Sequence, residues 1–169
     1  MALIIIGLLA AGLYMTDMDK SDLKWQIYGL HKSFGILVLF LIAIRLSWKA
    51  IDKAPVALST YKKAERILSK LLQHFFLAAM VLMPVSGWLM SSAGGHSIKF
   101  FGLFEVPALI EKNKDIGGLM HEVHEYLGWA MIVALVLHIS GALKHHFVTK
   151  DITLSRMMFF SSKNKEKSK

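Results

Sequence analysis

The sequence contains no cysteine, which removes disulfides, thiolate ligation of metals, iron–sulfur clusters and Cys-based zinc sites. Acids are scarce as well: 12 Asp and Glu stand against 20 Lys and Arg, a net charge of +8. No internal repeat or low-complexity linker divides the chain. The apolar start has neither a basic leader nor a small-residue cleavage site, so it does not read as a cleaved signal peptide. What is plentiful is hydrocarbon, at 54% of 169 residues, with a mean hydropathy of +0.48. A soluble domain this small is rarely so apolar, which makes a lipid bilayer the natural solvent. The length allows one compact bundle. The basic residues cluster between apolar runs, a pattern of membrane topology rather than of nucleic-acid binding.

Crossing about 30 Å of hydrocarbon at about 1.5 Å per residue takes a helix of roughly 20 apolar residues. Three runs qualify: Ile27 to Lys49, Leu68 to Ser92, and His121 to Lys144. A fourth, Ala2 to Met15, is apolar throughout but has only 14 residues. At about 21 Å it is short for a span and reads as the remainder of a first helix lacking a turn or two. The expected fold is all-α, a membrane-embedded four-helix bundle over residues 1–160 with a basic tail over 161–169. The connection 93–120 is the longest, and its apolar patch Phe100 to Leu109 is expected to lie along the membrane surface as a lid over the bundle. Pro84 and Gly87 are expected to kink the third helix.

Charge orients the bundle. The loops 16–26 and 93–120, with the adjoining helix starts, carry six basic residues against eight acids. The loop 50–67, the C-terminal tail and their neighbouring helix ends carry the other 14 basic residues against four acids. The positive-inside rule therefore places this second side, and both termini, in the cytoplasm. Trp25, Trp48 and Trp88 fall near helix ends, where amphipathic rings favour the interface.

With cysteine absent, eight histidines are the strong nitrogen ligands. Ionisable residues inside spans are costly and point to function. His31 and His124 each lie about one turn into their helices on the outer side, at matching depth on neighbouring helices. His138 follows His124 by 14 residues, close to four helical turns or about 21 Å, on nearly the same face near the other leaflet. That arrangement suits two flat cofactors stacked across the bilayer. Gly35, Gly128 and Gly141 sit about a turn from these histidines and leave room for a macrocycle between helices. Haem needs only one or two protein ligands, whereas zinc needs three or four at one depth. Each histidine taken alone serves equally well as an interhelical hydrogen-bonding residue; the joint depths and spacing favour b-type haem.

The remaining polar groups have more than one reading. His74, on the third helix near the cytoplasmic side, is a hydrogen-bond donor to a ligand, a quinone contact or a substitute ligand. Arg45 follows His31 by 14 residues and either pairs with a haem propionate or snorkels to the interface. His145 and His146 read first as solvated interfacial residues, though His145, with His74 and Arg45, is also a candidate proton or headgroup contact for a quinone on the inner side; His96 reads as a structural loop residue.

The segments HKSFGILVLFLIAIR, QHFFLAAMVLMPVSGWLM and HEVHEYLGWAMIVALVLHISGALKHHF, followed by KDITLSRMM, resemble the bacterial cytochrome b561 family. The likeness runs from the first apolar run to Met158, and the last histidine-rich segment is its most specific part. It implies a four-helix inner-membrane protein holding two b haems, each between two histidines, that passes electrons between ubiquinone and a periplasmic partner. Some related members oxidise superoxide. By position, His31 and His124 resemble the periplasmic ligand pair, and His138 the fourth-helix ligand of the cytoplasmic haem. The family partner of that last histidine lies in a Leu-His-Trp motif on the first helix, and no histidine precedes His31 here. The expectation is one intact haem in this sequence and two in an N-terminally extended one, with His74 as the substitute ligand otherwise. Lys99, Lys112 and Lys114 on the outer side are candidates for attracting superoxide, against ordinary loop solvation. Two other readings stand beside this one: a haem-bearing anchor subunit of a periplasmic oxidoreductase, and a non-redox transporter or structural membrane protein.

Overall fold

The computed structural model describes residues 1–51 and 62–151. Four α-helices carry the described residues: α1 Ala2–Asp17, α2 Asp22–Ile51, α3 Lys63–Ala93 and α4 Lys114–Lys144. The helices α2, α3 and α4 are long and apolar enough to cross a membrane, while α1 is apolar but shorter. Each span extends beyond its apolar run because polar caps carry the helix into the interface. Ser21 accepts the Lys24 amide at the start of α2, at 3.2 Å. Glu65 reaches back to the Lys62 amide at the start of α3, at 3.0 Å. Asn113 Oδ1 accepts the amides of Asp115 and Ile116, both at 3.1 Å, and starts α4. At its other end α3 closes in a Schellman turn, with the His96 amide on the Ser91 carbonyl and the Gly95 amide on that of Ser92. Gly95 takes the left-handed conformation that this turn requires, at φ +72°. Helix α3 is continuous through Pro84.

The described chain forms two compact units. The first comprises residues 1–51 and 75–132. Its core combines small and flexible side chains, among them Ala79, Ser86, Ser91, Ala93 and Met131, with the branched Val38 and Ile42. Small residues let helix backbones approach closely, as helices in lipid require, because lipid tails are as apolar as leucine and give no hydrophobic drive to association. Large apolar side chains such as Leu30, Phe40 and Leu82 point outward instead. The connection 93–113, unassigned to any strand from its sequence, contains a two-stranded antiparallel hairpin, β1 Ile98–Phe100 and β2 Phe104–Val106. Ile98 and Val106 are paired across it and buried. The hairpin is fastened to α2 through Ser33 and to α3 through the Trp88 indole, which donates to the Pro107 carbonyl at 2.9 Å.

The second unit comprises residues 62–74 and 133–151. It includes a π-helical turn, His145–Thr149, that follows α4. Ala142 and His145 are its buried residues near that turn. The basic tail 161–169 and most of the KDITLSRMM segment lie outside the described residues, as does much of the basic loop between α2 and α3.

Candidate functional site

In the first unit, α2 and α4 bring His31 and His124 together. Their ring centres are 6.2 Å apart and their planes are inclined at 71°. Both rings line an apolar cleft, walled by Leu8 and Leu9 from α1, Val38 from α2, and Met80 and Met83 from α3. Two imidazoles that shared one metal ion, with each nitrogen about 2 Å from it, would have ring centres ~6 Å apart. The pair observed here fits that separation.

The two rings are held differently. His124 Nδ1 lies 3.0 Å from the Met83 carbonyl and 3.0 Å from Ser86 Oγ. Ser86 in turn donates to the same carbonyl at 2.9 Å. A ring nitrogen facing a carbonyl oxygen must carry the proton, so Nδ1 is the donor and Nε2 keeps its lone pair. A backbone acceptor on the far nitrogen is the device that orients histidine ligands and raises their basicity. His31 has no such support: its Nδ1 is buried with no hydrogen-bond partner among the described residues. An unsatisfied buried nitrogen costs about 1–3 kcal/mol and calls for an explanation. A bound group that orders or ligates this ring supplies one.

Glycines set how close the neighbouring helices come. A Cβ at Gly87 on α3 would stand 3.1 Å from His124 Cε1, and one at Gly12 on α1 would stand 3.5 Å from His31 Cε1. Gly35 lines the cleft. Gly128 lies outside it, and a Cβ there would meet only Met83 Cε, at 3.9 Å. The sequence offers small residues about one turn from each histidine on the same helix. The glycines that abut the rings come instead from facing helices. Gly87 was legible only as a packing residue beside Pro84, and Gly12 carried no signal.

The other expected residues are elsewhere. Arg45 is exposed and outside the cleft. His138 and His74 both belong to the second unit. His138 is half-buried. His74 is exposed, and its Nδ1 lies 2.7 Å from the Lys70 carbonyl one turn back on its own helix. The reading of His145 and His146 as a solvated pair holds for His146 alone, because His145 is buried. His145 Nδ1 donates to Asp151 Oδ2 at 2.7 Å, and its Nε2 lies 3.8 Å from Glu65 Oε2. Glu65 also pairs with Lys144. The π-helical turn makes this possible by bringing Asp151 back onto His145, with the Asp151 amide on the His145 carbonyl at 3.1 Å. Such turns recur at functional sites.

A family model described as prokaryotic cytochrome b561 matches residues 1–160. The chain is 35% identical over 163 residues to "Cytochrome b561 homolog 2" of Escherichia coli K12, covering 95% of this chain and 86% of that protein. It is 29% identical over 131 residues to "Cytochrome b561 homolog 1" of the same organism, 76% of this chain and 72% of the relative. It is also 27% identical over 129 residues to the "Probable superoxide oxidase CybB" of Yersinia pestis, 76% of this chain and 73% of the relative.

Proposed function

The chain belongs to the prokaryotic cytochrome b561 family of membrane haem b electron carriers, and we propose that it exchanges electrons between ubiquinone and a redox partner on the periplasmic side. It is an inner-membrane protein, and the charge asymmetry of its loops supports an orientation with both termini in the cytoplasm. Membership sets aside the non-redox transporter reading.

The observation that carries the proposal is the His31–His124 pair, 6.2 Å between ring centres in an apolar cleft. These two residues would hold a b haem, which would supply reversible one-electron chemistry there. The protein contributes orientation and dielectric. The Met83 carbonyl and Ser86 hold the His124 ring and its tautomer, Gly87 and Gly12 allow the close approach of α3 and α1, and Leu8, Leu9 and Met80 keep water out. His138 is assigned to a second haem, as the resemblance implies, and His74 is the candidate second ligand among the residues present. Arg45 is the candidate partner for a propionate or for lipid phosphate.

Quinone reduction takes two electrons and two protons. His145, hydrogen-bonded to Asp151 and close to Glu65, is the group suited to deliver a proton to a quinone oxygen, and Asp151 holds its ring for that task. The likeness to a superoxide oxidase supports superoxide as one electron source. Each superoxide that gives up one electron becomes dioxygen, so two of them supply one quinol. Lys99, Lys112 and Lys114 are the candidate attracting charges.

The test is a reduced-minus-oxidised visible spectrum of the purified chain with haem counted by pyridine hemochrome. A b-type spectrum that is lost on His31→Ala and on His124→Ala supports the assignment. A folded protein without haem, expressed with adequate haem supply, refutes it. Persistence of full haem content in both variants moves the ligands elsewhere.

A further inference from the structure

We propose that the hairpin of β1 and β2 is a membrane anchor whose tip is inserted into the lipid of the leaflet on its side. Its tip is apolar and outward-facing: Leu103 is 77% exposed, Phe104 57% and Phe101 39%. Side chains alternate across the strands, so Lys99 and Glu105 pair on the opposite face, where an opposite-charge cross-strand pair suits headgroups and water. The hairpin is thus amphipathic in the manner of elements that lie in a membrane interface.

Its depth follows from α2. About twenty helical residues cross about 30 Å of hydrocarbon. Counted back from Trp48, the last aromatic before Lys49, they begin near Gly29. Phe34 is five residues further in, about 7 Å inside that boundary. Phe34 stacks edge-on against Phe101 with ring centres 5.0 Å apart, which carries the tip to the same level. The exposed face of α2 at Leu30 and Phe34, which a spanning helix presents to lipid, therefore adjoins the hairpin tip through the Phe34–Phe101 contact.

Backbone placed at that depth needs internal partners for its polar groups, since lipid provides none. Several of those groups find partners within the protein. The Phe101 amide, which the turn would leave open, donates to Ser33 Oγ at 3.0 Å. The Ser33 hydroxyl lies 3.0 Å from the Lys99 carbonyl and 2.9 Å from that of Gly29, and the Leu103 amide closes on the Phe100 carbonyl at 2.9 Å. Ser33 is 1% exposed, a buried hydroxyl inside a span whose role is to satisfy the hairpin. Phe101 pays for this with a left-handed backbone, φ +48°, next to Gly102 at +76°. A bulky residue persists in that conformation only when its surroundings over-determine it. Here a ring stacked on α2 and an amide held by Ser33 do so.

The absence of native cysteine makes the test clean. Single substitutions Leu103→Cys, Phe104→Cys and Glu105→Cys in the full chain are labelled with a nitroxide, and circular dichroism checks that each is folded. Collision rates with dissolved oxygen and with a water-soluble nickel chelate are then read in phosphatidylcholine vesicles. Labels at 103 and 104 are expected to favour oxygen, and the label at 105 to favour nickel. Equal preference for nickel at all three positions overturns the proposal and leaves the tip free for a soluble partner. Label depth does not depend on redox activity, so this outcome is independent of the electron-transfer assignment.

Discussion

Two histidine environments in this chain are built on opposite principles. His124 in the first unit faces neutral dipoles, the Met83 carbonyl and the Ser86 hydroxyl, in a cleft of leucine, valine and methionine. His145 in the second unit faces carboxylates, with Asp151 at 2.7 Å and Glu65 at 3.8 Å. A carbonyl orients an imidazole and leaves a lone pair for a metal. A carboxylate orients an imidazole and offers a proton acceptor beside it, which suits proton transfer. The same residue type is thus directed to ligation or to proton handling by what its Nδ1 meets.

The largest expected effect breaks the first environment. Replacing His31 or His124 by Ala should abolish the outer haem, read as loss of b-type absorbance and of haem by pyridine hemochrome. Next comes Gly87→Ala, whose Cβ would stand 3.1 Å from His124 Cε1 in a contact tighter than side chains normally make. It should lower haem content several-fold and shift the reduced absorbance maximum, with helicity unchanged by circular dichroism. The second environment should respond in the opposite way. His145→Ala and Asp151→Asn are expected to keep the spectrum but slow quinone reduction by about 100-fold, the lower end of what a positioned proton donor contributes. If either variant loses haem in proportion to rate, the contrast between the two sites fails. The smallest effect is expected for Ser86→Ala. It removes one hydrogen bond around His124 at a cost of about 1 kcal/mol, and should show as a modest loss of thermal stability with full haem retention.

Much of this organisation is readable without coordinates. Uninterrupted apolar runs dictate spanning helices, since a backbone in hydrocarbon must satisfy its own hydrogen bonds. The depths of His31 and His124, counted in turns, already pair them. The hairpin was hidden because each strand has three residues, too few to show a period of two, and because its turn places Phe101 where asparagine or glycine would be expected. The burial of His145, a residue the sequence already offers as a proton contact, was hidden for another reason. It depends on Glu65, 80 positions earlier in the sequence, and on a π-helical turn that returns Asp151.

The sequence by itself therefore determined the solvent of this protein, its helices and the histidines at matched depth, because hydrophobic length and helical rise are local quantities. Tertiary structure alone decided which groups meet those histidines. Gly12 and Gly87 against the rings, the Met83 carbonyl on His124, Asp151 on His145 and Ser33 beneath the hairpin all depend on which faces of separate elements are turned toward each other, a rotation that no single segment encodes.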